Sequence, residues 1–226
     1  AGSGSAPIPA ELIAWYRNLG LNIVEGYAMS EDFAYSHLST EQFNEPGYVG
    51  VPYPGVDVRI SDEGEILIDS LGKMIGYYKQ PELTAESFTE DGFFKTGDRG
   101  ERKANGLLKI TGRVKEIFKT SKGKYISPAP IENIINNDSH VELSCVSGSG
   151  MPQPYAQIVI AEDLRDRVGD PSVRAQIDTA LHALLQSVNS QVEHHEHLQF
   201  MVVVADEWTI ANGCLTPTMK IRRSAI

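Results

Sequence analysis

Val173, Ile177, Leu181, Leu184 and Val188 recur every three or four positions in DPSVRAQIDTALHALLQSVNSQV, residues 170–192. Apolar residues at that spacing share one stripe of an α-helix, and other elements must cover the stripe. Asp170 is placed to cap this helix, and Pro171 suits its first turn. The neighbouring segments supply the cover. VELSCVSG, YAQIVIA and QFMVVVA read as strands, the last of them buried. SPAPIENIIN reads as a second helix, capped by Ser127 with Pro128 in its first turn. The last half of the chain is therefore expected to be a compact α+β domain.

Upstream the hydrophobic period falls from 3.6 to 2. Val56, Val58 and Ile60 alternate with polar residues, and so do Ile66 and Ile68 after the turn at Asp62-Glu63-Gly64. A second hairpin, GERKANGLLKITG, has Asn105-Gly106 for its tight turn. Before these, PAELIAWYRNL (9–19) has the spacing of a short helix, with Leu12, Ile13, Tyr16 and Leu19 on one face and Gly20 to end it. NIVEGY then reads as a buried strand entering a loop. The expected fold class is α/β and α+β: a helix–strand piece, a small antiparallel β-unit, then the α+β domain. Texture and charge both change near residue 113, which divides the chain into 1–113 and 114–226.

The chain carries 30 acidic and 20 basic residues, a formal net charge of -10, and this argues against general nucleic-acid binding. Five of the basic residues, Arg113, Lys115, Lys119, Lys122 and Lys124, fall within GRVKEIFKTSKGKYISP (112–128). Taken alone, that local patch reads as a solvated hairpin. Cys145 and Cys214 are too few for a disulfide framework, and Cys145 in a strand-like run reads as a buried, reduced thiol. No apolar run reaches the length of a membrane span. No signal peptide is visible, so the cytoplasm is the expected compartment. VEHHEHLQF (192–200) has no common metal-ligand spacing and reads as a solvated helix end.

Four stretches have residue types suited to chemistry. In EGYAMSE (25–31) an exposed Tyr27 can stack on a flat heterocycle, and Glu31 can hold a hard cation through oxygen. In FFKTGDRG (93–100) Asp98 on a glycine-bounded turn can accept two hydrogen bonds from a diol. The basic segment offers Arg113 and spaced lysines to phosphate. NGCLTPTMKIRR (212–223) closes with three bases after a rigid Thr-Pro-Thr.

In this order the four stretches resemble the adenylate-forming superfamily: acyl-CoA synthetases, luciferases and peptide-synthetase adenylation domains. Gly26-Tyr27-Ala28-Met29-Ser30-Glu31 resembles its GYxxTE motif, Thr96-Gly97-Asp98 its TGD, and Gly112-Arg113-Val114-Lys115-Glu116 its GRxKE hinge. Gly4-Ser5-Ala6 lies in a stretch similar to the GGAP strand end beside adenine. FKTSKGKYISPAPIE and LTPTMKIRR look most like long-chain fatty acyl-CoA synthetases. The resemblance implies the end of a large N-terminal AMP-binding domain with a β-barrel-like subdomain, then a small mobile α+β domain. It implies a fatty acid as substrate, with ATP/AMP, Mg²⁺ and CoA, and peripheral contact with membranes. Oligomeric state stays open.

The roles implied are these. Tyr27 stacks on adenine beside Gly4, Ser5 and Ala6. Ser30 and Glu31 face the phosphates and Mg²⁺. Asp98 binds the ribose hydroxyls, with Arg113 next to it. Lys220 stabilises charge as the acyl-adenylate forms. Lys115 is the hinge about which Lys220 is exchanged for the 119–125 loop, with Lys119 and Gly123, which then lines the CoA tunnel. Ser30 departs from the motif's threonine but keeps the hydroxyl. The family's phosphate loop, SSGTTGxPKG, is absent, and the chain opens AGSGSAPIPAEL without a methionine. A C-terminal portion of a longer enzyme, inactive alone, is therefore expected. A fatty acid–AMP ligase, or an enzyme loading a carrier protein, and a non-catalytic nucleotide-binding module are the alternatives.

Overall fold

The computed structural model describes residues 1–5 and 8–226, in two units, Ala1–Lys115 and Glu116–Ile226. In the first unit, strand β1 (Gly2–Ser3) runs parallel to β2 (Val24–Tyr27), joined to it through helix α1 (Ala10–Asn18). Parallel neighbours need such a crossover. β3 (His37–Leu38) and β4 (Val51–Pro52) then add antiparallel, giving a four-stranded sheet in the order β1-β2-β3-β4. Gly50 lies just before β4 with φ +84°. A Cβ there would stand 2.1 Å from the Leu38 carbonyl, so the position requires glycine.

β5 (Asp57–Ile60), β6 (Glu65–Asp69), β7 (Phe94–Arg102) and β8 (Leu108–Arg113) form an antiparallel meander. Short helix α2 (Pro81–Glu86) lies between β6 and β7. Gly64 and Gly106 take φ of +84° and +91° in the two hairpin turns, as the Asp-Glu-Gly and Asn-Gly sequences predict. Val58, Ile66, Ile68 and Leu108 are buried on one face, and Tyr27 of the first sheet packs against them together with Met29 and Val49.

The second unit begins with the hairpin β9 (Phe118–Lys119) and β10 (Tyr125–Ile126), followed by α3 (Pro128–Ile135). β11 (Val141–Ser147) pairs antiparallel with β12 (Tyr155–Ile160). After α4 (Glu162–Arg165) and α5 (Pro171–Asn189), β13 (Met201–Val203) adds parallel to β12. The stripe Val173, Ile177, Leu181, Leu184 and Val188 is buried against Ile131, Ile135, Val146 and Ile158. Asp170 caps α5 by accepting from the Ser172 amide. Cys145 is buried and reduced.

The fold class matches the expectation, but two local readings need correction, and two features had no counterpart in the sequence reading. QFMVVVA is not a buried strand: β13 is an edge, with Val202 and Val203 exposed. On α1 only Ile13 is buried, while Leu12 and Leu19 lie open. β2 buries an acid, Glu25, among its apolar neighbours. α2, whose six residues carry no buried side chain, has no periodic signal.

Each unit holds one tryptophan, Trp15 in the first and Trp208, buried, in the second. Ile158→Ala should cost the second unit about 2–5 kcal/mol, the usual penalty for a core isoleucine. In urea unfolding, the fluorescence transition of Trp208 in a Trp15→Phe background should move to lower denaturant. That of Trp15 in a Trp208→Phe background should stay. Equal shifts would mean that the two units unfold as one.

Candidate adenylate site

The first unit brings together residues from three distant stretches. Tyr27 ends β2, and its hydroxyl donates to Asp98 Oδ2 at 2.8 Å. Arg113 Nε donates to Asp98 Oδ1 at 2.9 Å. The second contact follows from register, since Asp98 of β7 lies directly across from Arg113 of β8. The Asp98 side chain is only 14 % exposed, whereas that of Arg113 is 61 % exposed. The carboxylate is thus gripped on both oxygens, each of which keeps capacity for a further donor.

Local geometry explains how an aspartate comes to stand there. Gly97 takes φ +73°, which a side chain would resist, and its amide donates to Glu65 Oε1 at 2.8 Å. The Thr96 hydroxyl donates to the Ile66 carbonyl at 2.8 Å and accepts from the Asp98 amide at 3.1 Å. Thr96-Gly97-Asp98 is therefore a turn inside a strand, locked from its own hydroxyl.

Tyr27 is half-buried against the β-core instead of exposed on a loop. Burial, then the neighbouring Asp98, pushes its phenol well above the usual range, so the hydroxyl stays protonated as a donor. Beside it lies His37, directly across from Tyr27 in the β2–β3 pairing, with ring centroids 6.0 Å apart. His37 is 2 % exposed. Its Nδ1 is 2.8 Å from Ser36 Oγ, and its Nε2 has no partner among the described residues. Burial, with Arg102 nearby, lowers its pKa to about 4.

Gly4 and Ser5 follow β1 at the same strand ends. A Cβ on Gly4 would lie 3.5 Å from the Gly26 carbonyl, and Ser5 takes φ +69°. Ala6 lies outside the described residues. The C-terminal ends of neighbouring parallel strands are where open α/β sheets bind ligands.

Ser30 and Glu31 sit in a 3-10 turn, Ser30–Asp32, that leaves Ser30 exposed and Glu31 half-buried. The buried Asp32 steadies the turn by accepting from the Met29 amide at 3.1 Å, and its desolvation raises its pKa. Tyr77 donates to Glu31 Oε1 at 2.9 Å, and the Met74 amide donates to the Glu31 carbonyl at 2.7 Å. The 70–77 loop is thus fastened to the acid twice.

In the second unit, Lys119 is exposed and holds its ammonium 5.3 Å from the Tyr125 ring centroid. Gly123, at φ +80°, closes the hairpin turn through its amide to the Thr120 carbonyl, 2.9 Å. Lys122 and Lys124 are exposed on that turn. Lys115 is exposed in a 3-10 turn, Val114–Glu116, and is the last residue of the first unit. Lys220 is exposed at the end of a five-residue turn, 216–220. There the Thr216 amide donates to its carbonyl at 2.8 Å, and its own amide donates to Thr216 Oγ1 at 3.0 Å.

AMP-binding enzymes match this chain over residues 1–78, and the C-terminal domain of AMP-binding enzymes matches it over residues 115–226. The chain belongs to the AMP-binding, adenylate-forming superfamily. It is 36% identical to a long-chain-fatty-acid–CoA ligase, FadD15, of Mycobacterium bovis, over 99% of this chain and 39% of that protein. It is 30% identical to human long-chain-fatty-acid–CoA ligase 1, over 98% of this chain and 35% of that one. The chain therefore spans roughly two fifths of the length of these relatives. Among solved structures, it resembles the A-PCP didomain of carboxylic acid reductase from Segniliparus rugosus, a complex with AMP. The TM-score is 0.77 at 26% identity, over 100% of this chain and 32% of that one.

Tyr77, Glu65 and His37 were not expected from sequence. They lie 46, 32 and 10 residues from Glu31, Gly97 and Tyr27, and no local pattern announces such pairings.

His37 gives a sign to the pH dependence. Its folded pKa is depressed, so the stability it confers is present above the ordinary value of 6.5 and is lost as pH falls toward 4. A shift of that size corresponds to about 3 kcal/mol. The stability advantage of wild type over His37→Asn should shrink by about that amount between pH 7 and pH 4 in chemical denaturation. A constant difference would show that burial does not hold His37 neutral.

Proposed function

We propose that the chain is the C-terminal portion of an ATP-dependent long-chain fatty acid–CoA ligase. Such an enzyme joins a fatty acid carboxylate to the α-phosphate of ATP, releasing pyrophosphate, and then passes the acyl group to the CoA thiol, releasing AMP. The observation that carries this reading is Asp98 of the antiparallel meander, held by Arg113 across from it and by Tyr27, which ends the parallel strand β2. An aspartate so fixed keeps acceptor capacity on both oxygens, which two ribose hydroxyls can use. Gly4 and Ser5 leave the neighbouring strand end open for adenine, with Tyr27 beside it. The long-chain preference rests on the relatives named above.

Glu31 offers one half-buried carboxylate, and no group of three or more His, Cys, Asp or Glu side chains gathers into a metal site among the described residues. Magnesium keeps most of its water and takes phosphate oxygens alongside one or two carboxylates, so a single glutamate held by Tyr77 fits it. When bound, the ion neutralises charge on the phosphates. Ser30 gives them a hydroxyl. Lys220 meets the negative charge that develops during adenylation. Lys119 and Gly123 belong to the hairpin that receives CoA.

Phe33, Leu71, Ile75 and Tyr78 are large, apolar and exposed. On this reading the rest of the longer ligase covers them. No helix among the described residues is long and apolar enough to cross a membrane. A cytoplasmic enzyme touching membranes peripherally is part of the same proposal.

Three substitutions in the full-length protein test it. Lys220→Ala should slow acyl-AMP formation by about 10²–10³, the usual loss when a preorganised charge is removed. The reaction of supplied acyl-AMP with CoA should stay nearly unchanged; equal losses would make Lys220 structural. Lys115→Pro should impair thioester formation far more than adenylation, because proline fixes φ and restricts Val114 before it. Lys115→Ala, which keeps the backbone free, should impair neither comparably. Equal damage from Ala and Pro in both half-reactions would remove Lys115 as the pivot.

A further inference from the structure

Of the three terminal bases, Lys220 and Arg222 are exposed, whereas Arg223 turns inward, with 19 % of its side chain exposed. Its guanidinium is used on every side. Nη1 donates to Glu132 Oε1 at 2.6 Å and to the Val146 carbonyl at 3.3 Å. Nη2 donates to Glu132 Oε2, and Nε donates to Glu116 Oε2 at 3.2 Å. Glu132 belongs to α3, is 6 % exposed, and also accepts from the Val146 amide at 2.6 Å. One side chain of the tail therefore joins α3, β11 and Glu116, the first residue of its unit.

A desolvated charge pair of this kind is a weak source of net stability, since burial opposes what pairing gains, but it fixes geometry through the planar fork of arginine. What it fixes is the nearby turn. Only Ile221 and Arg222 separate Arg223 from Lys220. Leu215 and Ile221 bridge antiparallel, and the Arg222 amide donates to the Cys214 carbonyl at 2.8 Å. Met219 holds φ +61°, a conformation that a non-glycine residue keeps only when its surroundings impose it.

We infer that Arg223 is a positioning residue for Lys220. It anchors the base of the lysine-bearing turn to Glu132 and Glu116, so that the ammonium is presented in one place and moves with residue 116. This rests on the adenylation role proposed for Lys220 and deepens it. Arg223 touches no substrate on this account.

Arg223→Lys keeps a cation and loses the fork, which makes it the informative variant. In amide exchange of this chain followed by NMR, the amides of Thr216, Met219, Lys220 and Arg222 should exchange about tenfold faster or more, while those of β11 and β12 keep wild-type rates. In the full-length protein, kcat for acyl-AMP formation should fall by about tenfold or more, with KM for ATP and the CoA half-reaction little changed. Adding Arg223→Lys to Lys220→Ala should cause no further loss. Wild-type exchange in the tail overturns the anchor whatever happens to activity. Uniformly faster exchange, or equal losses in both half-reactions, reduces Arg223 to a general stabiliser and overturns the inference. A loosened tail combined with unimpaired adenylation in Lys220→Ala overturns the role of Lys220 and, with it, the catalytic part of the inference. If Arg223→Lys fails to fold, Glu116→Gln removes the milder contact and should give the same pattern at smaller amplitude; unchanged tail amides there overturn the anchor.

Discussion

Asp98 is held from two sides, by Tyr27 and by Arg113, with 14 % of its side chain left exposed. Its position depends on the pairing of β7 with β8, which sets Arg113 across from it, and on the Gly97 backbone, which turns the strand toward Tyr27. The pairing in turn needs the turn at Asn105-Gly106, and the contact with Tyr27 needs the meander to pack on the first sheet through Val58, Ile66, Ile68 and Leu108. Shift that hairpin by one residue and both contacts to Asp98 are lost together, since a one-residue slip sends every side chain to the opposite face.

Much of this was legible in the sequence because it was local. The stripe from Val173 to Val188 is a helical period and is buried as such. Asp170 caps it, and Gly64 and Gly106 turn their hairpins. The failures share a cause. Local apolarity does not distinguish a central strand from an edge, so QFMVVVA looked buried although β13 has one neighbour. Nor does it say which side of a helix meets the sheet, so Leu12 and Leu19 looked like core. Tyr27 looked like an exposed loop residue because its partner in burial lies more than seventy residues away.

The basic segment illustrates the same limit. Arg113 was expected next to Asp98 and is paired with it; the four lysines are all exposed, and Lys119 among them lies over the ring of Tyr125. At the other end of the chain, the three terminal bases divide likewise: Arg223 faces inward to Glu132, and its neighbours face water. Sequence gives the stock of charge. Which charges remain for a ligand is settled by contacts across long separations.

The two thiols of the second unit differ in a way that reaches beyond its fold. Cys145 is buried, and its burial raises its pKa to about 11, so it is a poor nucleophile at neutral pH. Cys214 is partly exposed, and its carbonyl accepts from the Arg222 amide at the foot of the lysine-bearing turn. A maleimide dye added under mild conditions will therefore label mainly one atom of the chain, at the base of its terminal tail. The protein comes supplied with its own attachment point for a spectroscopic reporter, and no residue need be changed to use it.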